Sequence, residues 1–117
     1  MSGPAVAAGV GAVAPPAPFE IVVTAPGRLA ARGALTFANA RSARAEGLHA
    51  LRTSSAPDLE VDCSGIAHSD SAGLAVLLDW LAVMKREGRP LRFANLPPGL
   101  LAVARISGVE EMLRQGV

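Results

Sequence analysis

Asp62-Cys63-Ser64-Gly65-Ile66-Ala67-His68-Ser69-Asp70-Ser71-Ala72-Gly73-Leu74 joins the end of an apolar strand, through a small-residue turn, to the start of an amphipathic helix. An acid, a hydroxyl, an alanine and a glycine are thereby placed at a helix N-terminus. Backbone N–H groups lack intrahelical partners there, and a negative charge or a partner's polar group is welcome. Asp62, Gly65, His68, Ser69, Asp70 and Gly73 make up the motif loop of this reading. Asp62 is expected to tie the turn to backbone amides, and Asp70 or Ser71 to cap the helix. Gly65 and Gly73 answer backbone demands, the first for the turn and the second for close approach.

Upstream of that stretch, Leu59 to Cys63 reads apolar around Asp62 and is predicted to be a central strand. Phe19 to Thr24 alternates and is β-branched, Ala25-Pro26-Gly27 is a turn, and Arg28 to Arg32 is a second strand ending at Gly33. Thr36 to His49 has helical composition with a modest apolar face that includes Phe37, Ala40 and Leu48, and Arg52 to Pro57 is a polar loop. Downstream, a helix from Ser71 ends at Lys85-Arg86-Glu87-Gly88, with basic residues in its last turn and then glycine. Leu91 to Ala94 is a strand, Gly99 to Ile106 a helix and Val109 to Arg114 a short final one. The alternation predicts one α/β domain. Its sheet is mixed but mostly parallel, of four or five strands, with helices mainly on one side.

The helix Ser71 to Glu87 carries more apolar surface than a core face needs. Leu74, Leu77, Leu78, Leu81 and Met84 share one arc, the predicted buried stripe. Val76, Trp80 and Val83 fall on a second arc, which either is an exposed patch holding the lone tryptophan, the reading preferred here, or is covered by the last helix or the C-terminus. Ser71, Ala72, Val76 and Trp80 are therefore the expected partner-binding residues.

Composition excludes several classes. The 117 residues are half apolar yet hold three Phe, one Trp and no Tyr, so the core is aliphatic. A formal net charge of +1, with no basic block, argues against nucleic acid. Cys63 is alone, so it forms no internal disulfide and no cysteine-based metal site. His49 and His68 lack companions at ligand spacing, and no phosphate loop or dinucleotide fingerprint occurs, so neither metal nor cofactor is expected. His68, Asp70 and Ser71 are neighbours in one turn and cannot form the relay of a catalytic triad, so no enzymatic activity is expected. Residues 1–18 are rich in Ala, Gly, Val and Pro and uncharged; they are expected to be a disordered tail rather than a signal peptide, leaving 19–117 as the domain. The densest apolar run, Leu74 to Met84, is broken by Asp79, so no direct membrane insertion is expected.

Asp62-Cys63-Ser64-Gly65-Ile66, followed by Asp70-Ser71-Ala72-Gly73-Leu74-Ala75-Val76-Leu77-Leu78, resembles the STAS domain (sulphate transporter and anti-sigma factor antagonist). Gly33-Ala34-Leu35-Thr36-Phe37, Leu91-Arg92-Phe93-Ala94-Asn95 and Arg105-Ile106-Ser107-Gly108-Val109 fit in place, so the resemblance spans about Phe19 to Leu113. It implies a protein-binding module of one of two kinds. One is the STAS subunit of the Mla-type phospholipid ABC transporter, which sits on the cytoplasmic ATPase subunit and supports its activity. The other is an anti-sigma factor antagonist, whose serine after the aspartate, here Ser71, is phosphorylated by an anti-sigma factor kinase. The antagonists usually carry Gly-Glu-Leu-Asp before the first helix, whereas Ala34 and Thr36 stand at the two acidic positions here. The resemblance therefore favours the transporter subunit, cytoplasmic and peripheral to the inner membrane through its partner.

Overall fold

The computed structural model describes residues 17–115. Strands β1 (Glu20–Ala25) and β2 (Arg28–Leu35) form a hairpin and lead into α1 (Ala40–Thr53). Then follow β3 (Leu59–Ser69), α2 (Ser71–Arg86), β4 (Leu91–Ala94), α3 (Pro98–Ile106) and α4 (Glu110–Gln115). The sheet order is β1-β2-β3-β4. β1 runs antiparallel to β2, while β2–β3 and β3–β4 are parallel. Four strands in a mixed, mostly parallel sheet match the expected α/β architecture.

The period-two alternation of the strands sorts the two sheet faces. Leu29, Ala31, Leu59, Val61, Cys63, Leu91 and Phe93 are buried in the core. The alternate positions carry charge: Glu60 pairs with both Arg28 and Arg92, and Glu20 pairs with Arg32. One face is thus packed and the other is wetted by ion pairs, each worth little in stability.

Several element boundaries differ from expectation. β2 runs to Leu35 and β3 to Ser69, where the sequence suggested ends at Gly33 and Cys63. The stretch from Ser64 to Ser69 is strand because β2 continues beside it: Arg32 pairs with Gly65, Gly33 with Ile66, Ala34 with His68 and Leu35 with Ser69. Register shifts after Ala30 and after Gly33 absorb the extra residues of β3, so the small residues serve a bulged strand rather than a free turn. α1 begins at Ala40, not Thr36, because Thr36 to Asn39 form a turn held by their own side chains, and it runs past His49 to Thr53, which buries Leu51 in the core.

The chain entry also differs. The Ala17 carbonyl accepts the N–H of Ala34 at 3.0 Å, and Phe19 is buried. Gly33, at φ +92°, packs so closely on the Pro18 carbonyl that a Cβ would overlap it. Residues 17 and 18 therefore belong with the domain; the rest of the expected tail, 1–16, lies outside the described residues.

Candidate functional site

The site is built at the C-terminal ends of β2 and β3, where α2 starts. Asp70 is extended (φ −140°, ψ −168°) and caps the helix: one carboxylate oxygen accepts the N–H of Ala72 at 2.9 Å and of Gly73 at 3.1 Å. Its other oxygen accepts the N–H of Phe37 at 3.0 Å. The Phe37 N–H, first among these donors, holds the Asp70 carboxyl below the usual carboxylate range. Gly73 is required because its backbone lies against the Leu35 carbonyl, which a Cβ would overlap. Ser71 is exposed in the first turn and Ala72 beside it is half-buried.

Asp62 works as expected within its own strand. Its Oδ1 accepts the Ser64 N–H at 2.9 Å and the Asn95 side-chain amide at 3.1 Å. These donors, led by the Ser64 amide, lower its pKa. Cys63 beside it is fully buried, and burial pushes its thiol up to about 12. Gly65 is exposed, with room limited by the Cβ of Arg32. His68 is exposed and Ser69 half-buried at the end of β3.

Trp80 and Val76 are not a surface patch. Trp80 is 0% exposed, Val76 5% and Val83 4%. The second arc of α2 is covered by α1: the Trp80 indole N–H donates to the Arg44 carbonyl at 3.1 Å, and its ring packs 6.1 Å from that of Phe19. Gly47 makes the fit possible, since a Cβ at that position would overlap the indole ring. Trp80 is thus a core residue, and the expected partner surface loses it.

The exposed aromatic of this region is Phe37 instead. It is 84% exposed, although the sequence suggested a helix-face residue. The loop that displays it is braced. Thr36 N–H donates to Asn39 Oδ1 at 2.9 Å, Asn39 Nδ2 donates to the Ala34 carbonyl at 2.8 Å, and Ala38 N–H donates to Thr36 Oγ1 at 3.3 Å. With the Asp70 contact to the Phe37 backbone, the loop that carries this apolar ring into water is braced. A Thr-x-x-Asn spacing ahead of an apolar-poor helix start was the available signal.

Below Phe37 a groove of about 680 Å³ runs between α1 and α2, lined by Phe37, Ala40, Arg41, Arg44, Ala72, Ala75, Val76 and Asp79. Val76 is its floor. Arg44 and Asp79 form an ion pair across it. The site therefore gathers Ser71, Ala72, Val76 and Phe37, and leaves Asp62 and Gly65 on the strand behind. Chemically it offers apolar contact, a hydroxyl and charge. Among the described residues, no three His, Cys, Asp or Glu side chains converge as a metal site would require. No described helix is long and apolar enough to cross a membrane.

A sequence comparison with characterised proteins finds no significant match. Among solved structures, the fold is similar to that of the anti-sigma factor antagonist SpoIIAA in its unphosphorylated form. The TM-score is 0.62 and the identity 17%, over 80% of this chain and 84% of that one. A family model described as "Mlab, STAS domain" matches residues 23–115. With the β2–α1 loop and the capped start of α2 in the arrangement described, the chain belongs to the STAS domain family.

Proposed function

We propose that this chain is a non-enzymatic STAS subunit that binds and supports the cytoplasmic ATPase of a phospholipid-transporting ABC complex, one that maintains outer-membrane lipid asymmetry. It would reach the inner membrane through that partner. The observation that carries the reading is Phe37, 84% exposed on a braced loop beside Ser71 and above the α1–α2 groove. A loop backbone braced before binding leaves less to order on contact, which helps an interface anchor gain affinity. The transporter assignment draws support from the family description, which names Mlab, and from Ala34 and Thr36, which stand where the antagonists carry acids.

The exposed hydroxyl of Ser71 favours a second reading, an anti-sigma factor antagonist switched by phosphorylation. A phosphate would add about −1.5 to −2 charge at pH 7, and the N-terminus of α2 tolerates it. One experiment separates the two. The chain is affinity-purified from its own cells, the co-purifying proteins are identified and Ser71 is examined by mass spectrometry. An ABC ATPase with unmodified Ser71 supports the transporter subunit. A serine kinase with phosphorylated Ser71 supports the switch.

A further inference from the structure

We propose that the partner surface seated in the α1–α2 groove carries a carboxylate that pairs with Arg41. This rests on the reading of the groove as the docking site and adds the partner's chemistry. The helix α1 turns three arginines outward, Arg41, Arg44 and Arg52. Two are matched from α2 and its C-cap: Arg44 by Asp79, and Arg52 by Glu87 at 2.7 Å. Arg41 lines the groove, is exposed, and has no carboxylate within ion-pair distance among the described residues. The nearby acid of the site, Asp70, is already engaged by the backbone amides of Phe37, Ala72 and Gly73.

The rest of the groove is apolar or self-compensated, so Arg41 sets the sign of the charge it accepts. A partner that covers Phe37 and Ala72 strips water from the Arg41 guanidinium, and an unpaired charge is costly to desolvate. A carboxylate offsets that cost, with the paired N–H geometry only arginine offers. A lysine or arginine in the same place adds repulsion. The geometry therefore selects an acidic side chain beside an apolar contact.

The test uses the complex of this chain with the protein that co-purifies with it, separated and re-formed from purified components. Affinity is measured for wild type, Arg41→Glu, Arg41→Lys and Phe37→Ala, all at exposed positions and each checked by a melt. Arg41→Glu is expected to weaken binding about tenfold or more at low salt, and Arg41→Lys much less. Raising salt from about 50 mM to about 500 mM is expected to weaken the wild type and to strengthen Arg41→Glu, whose repulsion from the carboxylate is screened. Wild-type or tighter binding by Arg41→Glu, with Phe37→Ala still weakened, overturns the carboxylate and leaves the docking site standing. Wild-type binding by both variants overturns the docking site as well.

Discussion

The carboxylate of Asp70 accepts the backbone N–H of Phe37 at 3.0 Å, across 33 residues of chain. The same side chain caps α2 through Ala72 and Gly73. One acid therefore fixes both halves of the candidate interface: the helix start that carries Ser71 and the loop that carries Phe37. In Asp70→Asn one oxygen becomes an amide donor, so either the cap or the Phe37 contact is lost.

Asp70→Asn should lower stability at neutral pH by about 1 kcal/mol, the scale of a charge-assisted hydrogen bond reduced by solvent. The sign with pH follows from the direction of its shift. The folded pKa lies below the unfolded one, so the contribution is present above the ordinary value of ~3.9 and is lost as pH falls through the folded value. Denaturant melts of both proteins from neutral pH downward should show a gap that narrows below ~3.9. A gap that widens on acidification contradicts the assignment.

Gly47→Ala sets two effects against each other. Alanine in a helix gains about 1 kcal/mol over glycine. Its Cβ overlaps the Trp80 ring, which is held by the Arg44 carbonyl and by Phe19 and cannot swing away, and overpacking of this kind costs about 1–3 kcal/mol. The overlap should win, lowering the thermal midpoint by about 5 °C. A raised midpoint would mean the α1–α2 contact is looser than described.

That contact also shows what the sequence conceals. Of the stripe Leu74, Leu77, Leu78, Leu81, Met84, legible from helical spacing, four are buried as expected and Leu78 is half-buried at its edge. Asp70 was legible as a cap from residue type and position. The fate of Trp80 was not, because it depends on a missing side chain at Gly47, 33 positions earlier and on another helix. Phe37 was misplaced for a related reason. Its apolar character suggested a helix face, while the hydrogen bonds of Thr36 and Asn39 hold four residues out of the helix. Side-chain capping of a loop competes with helix formation and leaves little trace in hydrophobic periodicity. Likewise the strand beyond Cys63 exists because β2 continues alongside it, a non-local cause.

Cys63 should be silent to thiol reagents in the folded protein. It is fully buried at mid-strand with its pKa pushed up to about 12, so almost no thiolate forms at neutral pH. Alkylation with iodoacetamide, followed by mass spectrometry, should be negligible in buffer and complete in denaturant. Fast labelling in buffer would show that β3 opens readily.

Arg89 should prove a structural clamp. Its guanidinium donates to the carbonyls of Leu51 (3.0 Å), Ser54 (2.7 Å) and Ala56 (2.5 Å), tying the end of α1 to the loop before β3. Arg89→Ala leaves three carbonyls without that partner and should cost about 1–3 kcal/mol in a denaturant melt. An unchanged midpoint would show that water replaces the guanidinium without loss.

The proposed partner surface joins the braced loop of Phe37 to the start of α2. The most direct measurement is capture of the co-purifying partner by wild type, Phe37→Ala and Ser71→Glu, beside a circular dichroism melt of each. Both substituted side chains are exposed, so all three melts should coincide. Each variant, still folded, should lose most of the capture, Phe37→Ala by about 2 kcal/mol of binding free energy. Full capture by both folded variants would contradict this surface and place the interface on another face of the domain.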